Sequence, residues 1–380
     1  MAWSTLRLPD RSNVDSDRQT PIRFTKIMDN LHYNSRHIDS YNFWLNFIIS
    51  EREAGKSTRI WRKVYKKFKK TGRPTLCIRR LIADITETYI NDICSVINKF
   101  LPENRQITFD FKKGSIKEGI VDVSVNGKLF IRVIALSNPL SRIKSLIMRN
   151  PAYIVFDEFI CNVMMGEKYL NDEAFRFKEI YNTFQREVKN GKLKCYFMGN
   201  PYSLYNPYFS WLGVDTLQLR PGAFIVNKDK QYAIECYKIK DDLRKVILER
   251  NPLYQFDESY AKYAFDGVAV NDVNIPLRPK QPDGFRLKYV ILVGKHKLLA
   301  YSNYNSGYKE KWWIDMNDSY NTSSRLQYAV SFDAIANNSK LVGVDTKICF
   351  LSLRQSIRSN NVTYSSLESY YLIRDIYTQI

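Results

Sequence analysis

The residues of this chain best suited to chemistry begin at Ser50-Glu51-Arg52-Glu53-Ala54-Gly55-Lys56-Ser57, directly after the apolar run LNFII. A strand entering a helix through such a loop offers backbone N–H groups to phosphate oxygens. Lys56 would neutralise the phosphates, Ser57 would hold Mg²⁺, and Thr58 closes the motif. The leading glycine of the usual pattern is Ser50 here, and Glu53 adds a negative charge near the triphosphate. Farther along, the run YIVFDE ends in Asp157 and Glu158. Such a pair supplies one carboxylate to hold Mg²⁺ through water and another to orient or deprotonate an attacking water. Asn200 closes LKCYFMGN, where a polar side chain can hydrogen-bond a terminal phosphate or the attacking water. Arg52, inside the loop, must touch phosphate or be held by a partner such as Glu158.

Each motif has a plain structural reading: a lysine at a helix start, acids at a strand end, a turn before Pro201. Their order on suitable elements favours an ATP-binding P-loop hydrolase with an added catalytic glutamate. The elements follow from periodicity. After the loop, Ile60, Val64 and Phe68 share one helical face, and Thr71-Gly72-Arg73-Pro74 ends the helix. TLCIRR reads as a buried strand, and the next helix has Ile85, Tyr89, Ile93 and Val96 in register. Asn126-Gly127 marks a tight hairpin. Strand and helix then alternate to Asn200, with two more strands within 216–238, which predicts an α/β domain with a mostly parallel sheet. Such sheets bind ligands at the carboxyl ends of their strands, where all these motifs fall. Tyr41, Phe43 and Trp44, just before the loop, are core residues or a stacking surface for a base.

The chain divides into an N-terminal arm (1–40), the P-loop domain (41–240), a helical and Pro-rich linker (241–283) and a smaller α+β domain (284–380). Pro276, Pro279 and Pro282 mark the linker, and a hairpin turning at Gly294-Lys295 opens the last domain. Composition narrows the partners. With 58 Lys+Arg against 39 Asp+Glu, the formal charge of +19 favours a polyanion, and aromatics interleaved with basic residues suit nucleic acid. No apolar run is long enough for a membrane span or a signal peptide. Three histidines argue against a zinc site or a His-based triad, and six scattered cysteines suggest buried, reduced thiols.

Arg52-x-x-Gly55-Lys56-Ser57, a strand ending in Asp157-Glu158 and another ending in Gly199-Asn200-Pro201 resemble the large-terminase and DNA-encapsidation ATPases of tailed phages. Length, basicity and a short C-terminal domain make the chain most similar to the encapsidation ATPases of small podophages. The resemblance implies Arg52, Gly55, Lys56 and Ser57 as the nucleotide loop, Asp157 as metal carboxylate, Glu158 as catalytic base and Asn200 as coupling residue. It implies ATP and Mg²⁺, and a homo-oligomeric ring, a pentamer by family resemblance, in which a neighbour's cation completes each site. Arg186, ahead of Arg176, and Lys144 are the candidates. It further implies double-stranded DNA, a procapsid portal and an RNA adaptor as partners, and the host cytoplasm at the portal vertex as the location. The C-terminal domain would be RNase H-like yet inactive as a nuclease: YVILVGKHK lacks the expected aspartate, and Asp315 and Asp345 are scattered. Lys288, Lys295, Lys297, Lys309 and Lys311 would grip DNA backbone instead. The rival readings are a helicase or repair ATPase and a basic structural protein with a degenerate nucleotide site.

Overall fold

The computed structural model describes residues 32–162, 165–202, 206–214, 218–256, 276–294, 296–303, 310–321, 325–377 and 380. Nine strands form the first sheet: β1 (Leu45–Ser50), β2 (Thr75–Arg79), β3 (Phe109–Asp110), β4 (Ile120–Val125), β5 (Lys128–Ala135), β6 (Tyr153–Asp157), β7 (Lys194–Gly199), β8 (Phe224–Asn227) and β9 (Tyr232–Tyr237). Their order is β3-β4-β5-β2-β6-β7-β1-β9-β8. The six from β5 to β9 are mutually parallel. Antiparallel hairpin strands finish each edge. β7 lies between β1 and β6, so one additional strand separates the phosphate loop from the acid pair, as expected for this class.

All six residues of β1 are buried. Alternation along a strand sends Leu45, Phe47 and Ile49 to one face, where Phe177, Ile180, Phe184 and Phe209 cover them. Ile48 faces the opposite side, against Ile60, Trp61 and Val64. Helix Lys56–Thr71 buries Ile60, Trp61, Val64 and Phe68, each worth about 1.5–3 kcal/mol over exposure. It stops at Gly72, whose φ of 66° is left-handed and whose N–H reaches the Phe68 carbonyl at 2.7 Å.

Helix Glu87–Asn98 starts from Thr86, whose hydroxyl accepts from the Tyr89 N–H. Its buried face is Ile90, Ile93, Cys94 and Ile97, one step out of phase with the sequence expectation. Ile85 is buried but precedes the helix, and Tyr89 and Val96 flank the apolar stripe. The Asn126-Gly127 hairpin forms as expected, with φ of 51° and 70°. Residues 1–31 of the expected arm lie outside the described residues. Its end packs down: Tyr33 and Ile38 join the core of the first sheet.

The expected linker begins as helix Asp241–Arg250, whose Leu243 and Ile247 cover Ala54 of the phosphate loop. Residues 257–275 lie outside the described residues. At the linker's end the Arg278 N–H donates to the Tyr364 carbonyl at 2.7 Å, lining the chain along the second sheet.

That sheet contains β10 (Arg286–Val293), β11 (His296–Asn303), β12 (Lys311–Met316), β13 (Gln327–Ala329), β14 (Ser339–Leu341) and β15 (Val362–Tyr364), in the order β14-β13-β10-β11-β12-β15. β10, β11 and β12 are antiparallel, and β13 and β14 continue in parallel beyond β10. These are the order and directions of an RNase H-like sheet, with β15 added beside β12. Among the described residues, no helix is long and apolar enough to cross a membrane.

Candidate nucleotide site

Parallel strands deliver their carboxyl ends to one edge, and the candidate residues gather there. Ile49 of β1 is in register with Gly199 of β7, and Asp157 of β6 with Met198. Ser50, Asn200 and Asp157 therefore leave the sheet side by side. Tyr41, Phe43 and Trp44 precede β1 and sit at the opposite edge. Tyr41 packs on Phe43 and Phe224, and Trp44 on Tyr181, so these rings do not serve a base at this site.

The loop after β1 is tightly built. Glu51 and Ala54 are buried, while Glu53 and Gly55 adopt left-handed φ values of 60° and 86°. Gly55 is required twice over: its φ disfavours any side chain, and an added Cβ would meet His32 at 3.0 Å. Helix Lys56–Thr71 starts at once, so the N–H groups of its first turn, including those of Lys56, Ser57 and Thr58, have no partner within the helix and can receive an anion there. Ser57 and Thr58 are both half-buried.

Lys56 Nζ reaches the carbonyls of Ser50 (3.3 Å) and Glu51 (3.4 Å) and Asn200 Oδ1 (2.5 Å). Burial lowers its ammonium pKa to about 8, against the pull of Asp157, Glu158 and Glu51. Asn200 Nδ2 donates to Tyr202 Oη at 3.0 Å, and Arg52 donates to the same oxygen from Nε (3.2 Å) and Nη2 (3.0 Å). Arg52 is thus held by Tyr202.

Glu158 has a different guanidinium. Arg79, at the end of β2, donates to Glu158 Oε2 at 2.5 Å and lies 3.8 Å from Asp157 Oδ2. Tyr89 donates to that Asp157 oxygen at 3.1 Å, with the Arg79 guanidinium 4.6 Å from the Tyr89 ring centre. Burial raises the Asp157 carboxyl pKa, and Arg79 is the main influence opposing this. Glu158 is itself left-handed, at φ 58°, which costs about 1–2 kcal/mol for a residue with a side chain.

Arg80 holds that turn in place. It donates to the carbonyls of Glu158 (3.0 Å) and Phe159 (2.6 Å) and pairs with the fully buried carboxylate of Glu173. Gly199 permits the turn's close packing, because a Cβ there would meet Phe159 and Ile160 at 3.0 Å.

The donor set suits Mg²⁺ bound with a nucleotide. Ser57 and Asp157 offer a hydroxyl and a carboxylate, and Mg²⁺ characteristically completes its shell with phosphate oxygens and water. Among the described residues, no group of three or more His, Cys, Asp or Glu forms a self-sufficient metal cage.

The cations considered for a neighbouring site lie elsewhere. Arg186 is exposed just past the far end of helix Glu173–Gln185, and the residue after it, Glu187, accepts from the Asn150 N–H at 3.1 Å near the start of β6. Arg176 on the same helix is engaged within its own chain, donating to the carbonyls of Leu136 and Asn138 at 3.1 and 2.7 Å. Lys144 is ion-paired with Glu179. In the second sheet, Lys288 pairs with Glu310 at 2.8 Å and Lys297 donates to the Tyr320 carbonyl at 3.0 Å. Lys311 is exposed, and Lys295 and Lys309 lie outside the described residues.

Arg79, Arg80, Tyr89 and Tyr202 were not among the sequence candidates. For the two arginines a signal existed: they close TLCIRR, a buried strand whose carboxyl end must share the edge used by Asp157.

Residues 27–352 match the model of the podovirus DNA encapsidation protein (Gp16) family. The chain is 26% identical over 318 residues to the DNA packaging protein of Bacillus phage B103, covering 80% of this chain and 86% of that one. It is 25% identical over 325 residues to the corresponding protein of Bacillus phage phi29, covering 82% and 86%. Among solved structures, the fold is similar to the Phi-28 gp11 DNA packaging motor (TM-score 0.59, 14% identity, 91% of this chain and 97% of that one). It is also similar to the bacteriophage Phi-29 genome packaging motor assembly (TM-score 0.54, 20% identity, 92% and 98%). The chain belongs to the podovirus DNA encapsidation protein (Gp16) family, and its work is the packaging of viral DNA.

Proposed function

We propose that the chain is an ATP-hydrolysing subunit of a homo-oligomeric ring that drives double-stranded DNA through a procapsid portal. The carrying observation is convergence at one sheet edge: Lys56 on Asn200, and Glu158 on Arg79 beside Asp157. The loop amides and Lys56 bind the triphosphate, and Arg52 stands at the rim of the same site. Mg²⁺ held by Ser57 and Asp157 would neutralise charge on the phosphates. Glu158 takes a proton from the attacking water once its carboxylate leaves Arg79, and Asn200, released from Lys56, orients that water beside the terminal phosphate. Arg186 of a neighbouring copy, exposed at the opposite edge, supplies transition-state charge, with Lys144 the second candidate.

In this reading the RNase H-like domain holds DNA without cutting it. Supporting this, Arg286–Gly294 contains no acid where a nuclease would carry its first aspartate, and Asp315 and Asp345 stand on separate elements. Lys311, with Lys295 and Lys309, would make the backbone contact, since Lys288 and Lys297 are engaged within the chain.

The test is steady-state ATP hydrolysis by the purified chain with and without double-stranded DNA, beside Glu158→Gln. DNA-stimulated turnover that falls about 10²–10⁴-fold in the variant, with nucleotide binding kept, is the expected result. Absence of nucleotide binding sensitive to Lys56→Ala would sink the proposal.

A further inference from the structure

Tyr202 lies outside the loop and the acid pair, yet its hydroxyl is where Arg52 and Asn200 meet. We infer that Tyr202 is a positioning residue for hydrolysis, acting through Asn200; the inference rests on the ATPase reading above. An asparagine amide has one accepting end and one donating end, and its usefulness depends on which faces the reaction. Here Oδ1 accepts from Lys56 at 2.5 Å while Nδ2 donates to Tyr202 Oη at 3.0 Å. The reverse orientation would set an N–H₂ group against the lysine ammonium, donor against donor.

Lys56 can enforce this orientation only while it touches Asn200. Once a triphosphate draws Lys56 away, Tyr202 is the contact that keeps Nδ2 turned back and Oδ1 toward the water that attacks the terminal phosphate. An acceptor fixed there can receive one hydrogen of the water that Glu158 deprotonates; a flipped amide would offer that water a donor instead. The same phenol oxygen receives both forked N–H groups of Arg52, at 3.2 and 3.0 Å, so the loop arginine and the β7 asparagine share one anchor. A phenol oxygen suits this position because it takes donors from two sides and carries no charge to compete for phosphate.

Tyr202→Phe removes one oxygen from a half-buried ring. The full chain with double-stranded DNA is assayed for turnover, for affinity toward a fluorescent ATP analogue and for thermal melting. The expected result is a turnover loss of roughly three- to tenfold, the worth of one hydrogen bond, with affinity not reduced and melting unchanged. The double variant Asn200→Ala/Tyr202→Phe should be no slower than Asn200→Ala, because Tyr202 acts through the amide. Wild-type turnover in Tyr202→Phe, a loss confined to affinity, or single losses that multiply in the double variant would each overturn the role. A wild-type chain lacking Lys56-dependent nucleotide binding would instead remove the ATPase reading beneath it.

Discussion

Replacing Arg79 by alanine should strand a buried charge, and pH should reveal which one. Arg79 is 8% exposed and serves two carboxylates, Glu158 at 2.5 Å and Asp157 at 3.8 Å. Removing one partner of a buried ion pair costs about 3–5 kcal/mol. The lower end applies here, because the Glu158 side chain is 62% exposed and water can resolvate it, while Asp157 stays buried. We therefore expect a loss of about 3 kcal/mol at pH 7.5. The pH dependence has a definite sign. Burial lifts the Asp157 carboxyl above its ordinary 3.8, so between that value and the raised one the folded chain binds more protons than the unfolded chain. Stability contributed by this group accordingly falls as pH rises through the window. Without Arg79 the folded value climbs further and the window widens toward neutrality, so the variant's deficit should shrink at pH 5. Urea unfolding of both proteins at the two pH values measures this. Equal deficits at pH 5 and 7.5 would mean that Arg79 contributes packing alone, and the electrostatic reasoning would fail.

Two further expectations concern the nucleotide. Phosphate binding needs charged Lys56, whose ammonium pKa burial lowers to about 8, so affinity for a fluorescent ATP analogue should hold below that pH and fall about tenfold per unit above it. Lys56→Arg, charged throughout, should abolish the slope even if its affinity is lower. Arg186→Ala chains and Glu158→Gln chains, each inactive when assembled separately on procapsids, should regain hydrolysis when mixed, since mixed interfaces pair an intact arginine with an intact glutamate; no recovery would refute action in trans.

Much of this architecture was legible because the relevant strands are buried on both faces. β1 and β6 read as mostly apolar runs, broken in β1 only by Asn46, that end in polar residues, so Lys56, Asp157 and Glu158 could be assigned to a common edge from chain direction alone. What stayed hidden depends on which strands become neighbours. Arg79 reaches the acid pair only because β2 pairs with β6, a contact set by long-range strand order rather than by local pattern. Tyr202 is hidden for a similar reason: nothing in Asn200-Pro201-Tyr202 says that the chain turns back toward Arg52. Helix Glu87–Asn98 slipped by one position because the apolar residue chosen to begin its stripe, Ile85, is buried ahead of the helix. Proline spacing located the end of the linker, yet could not show that Leu243 and Ile247 would cover the phosphate loop.

The buried pair Arg80–Glu173 then explains how the acid turn and the helix after it can behave as one body. Such pairs add little net stability, since desolvating both charges offsets most of their attraction, but they fix geometry strongly when every hydrogen bond is met. Here the fit is close to complete: Glu173 accepts from Arg80, from Tyr208 at 2.8 Å and from the Leu170 N–H at 2.8 Å, while Arg80 also holds the carbonyls of Glu158 and Phe159. The turn carrying Glu158 cannot shift without moving the first turn of helix Glu173–Gln185. That helix is a stiff rod of about 20 Å, and Arg186 stands at its other end. In the proposed ring, one rigid element would thus join a subunit's own glutamate to the arginine it offers its neighbour. Successive sites would then be coupled by a hydrogen-bonded turn and a helix, with no need for a separate moving part.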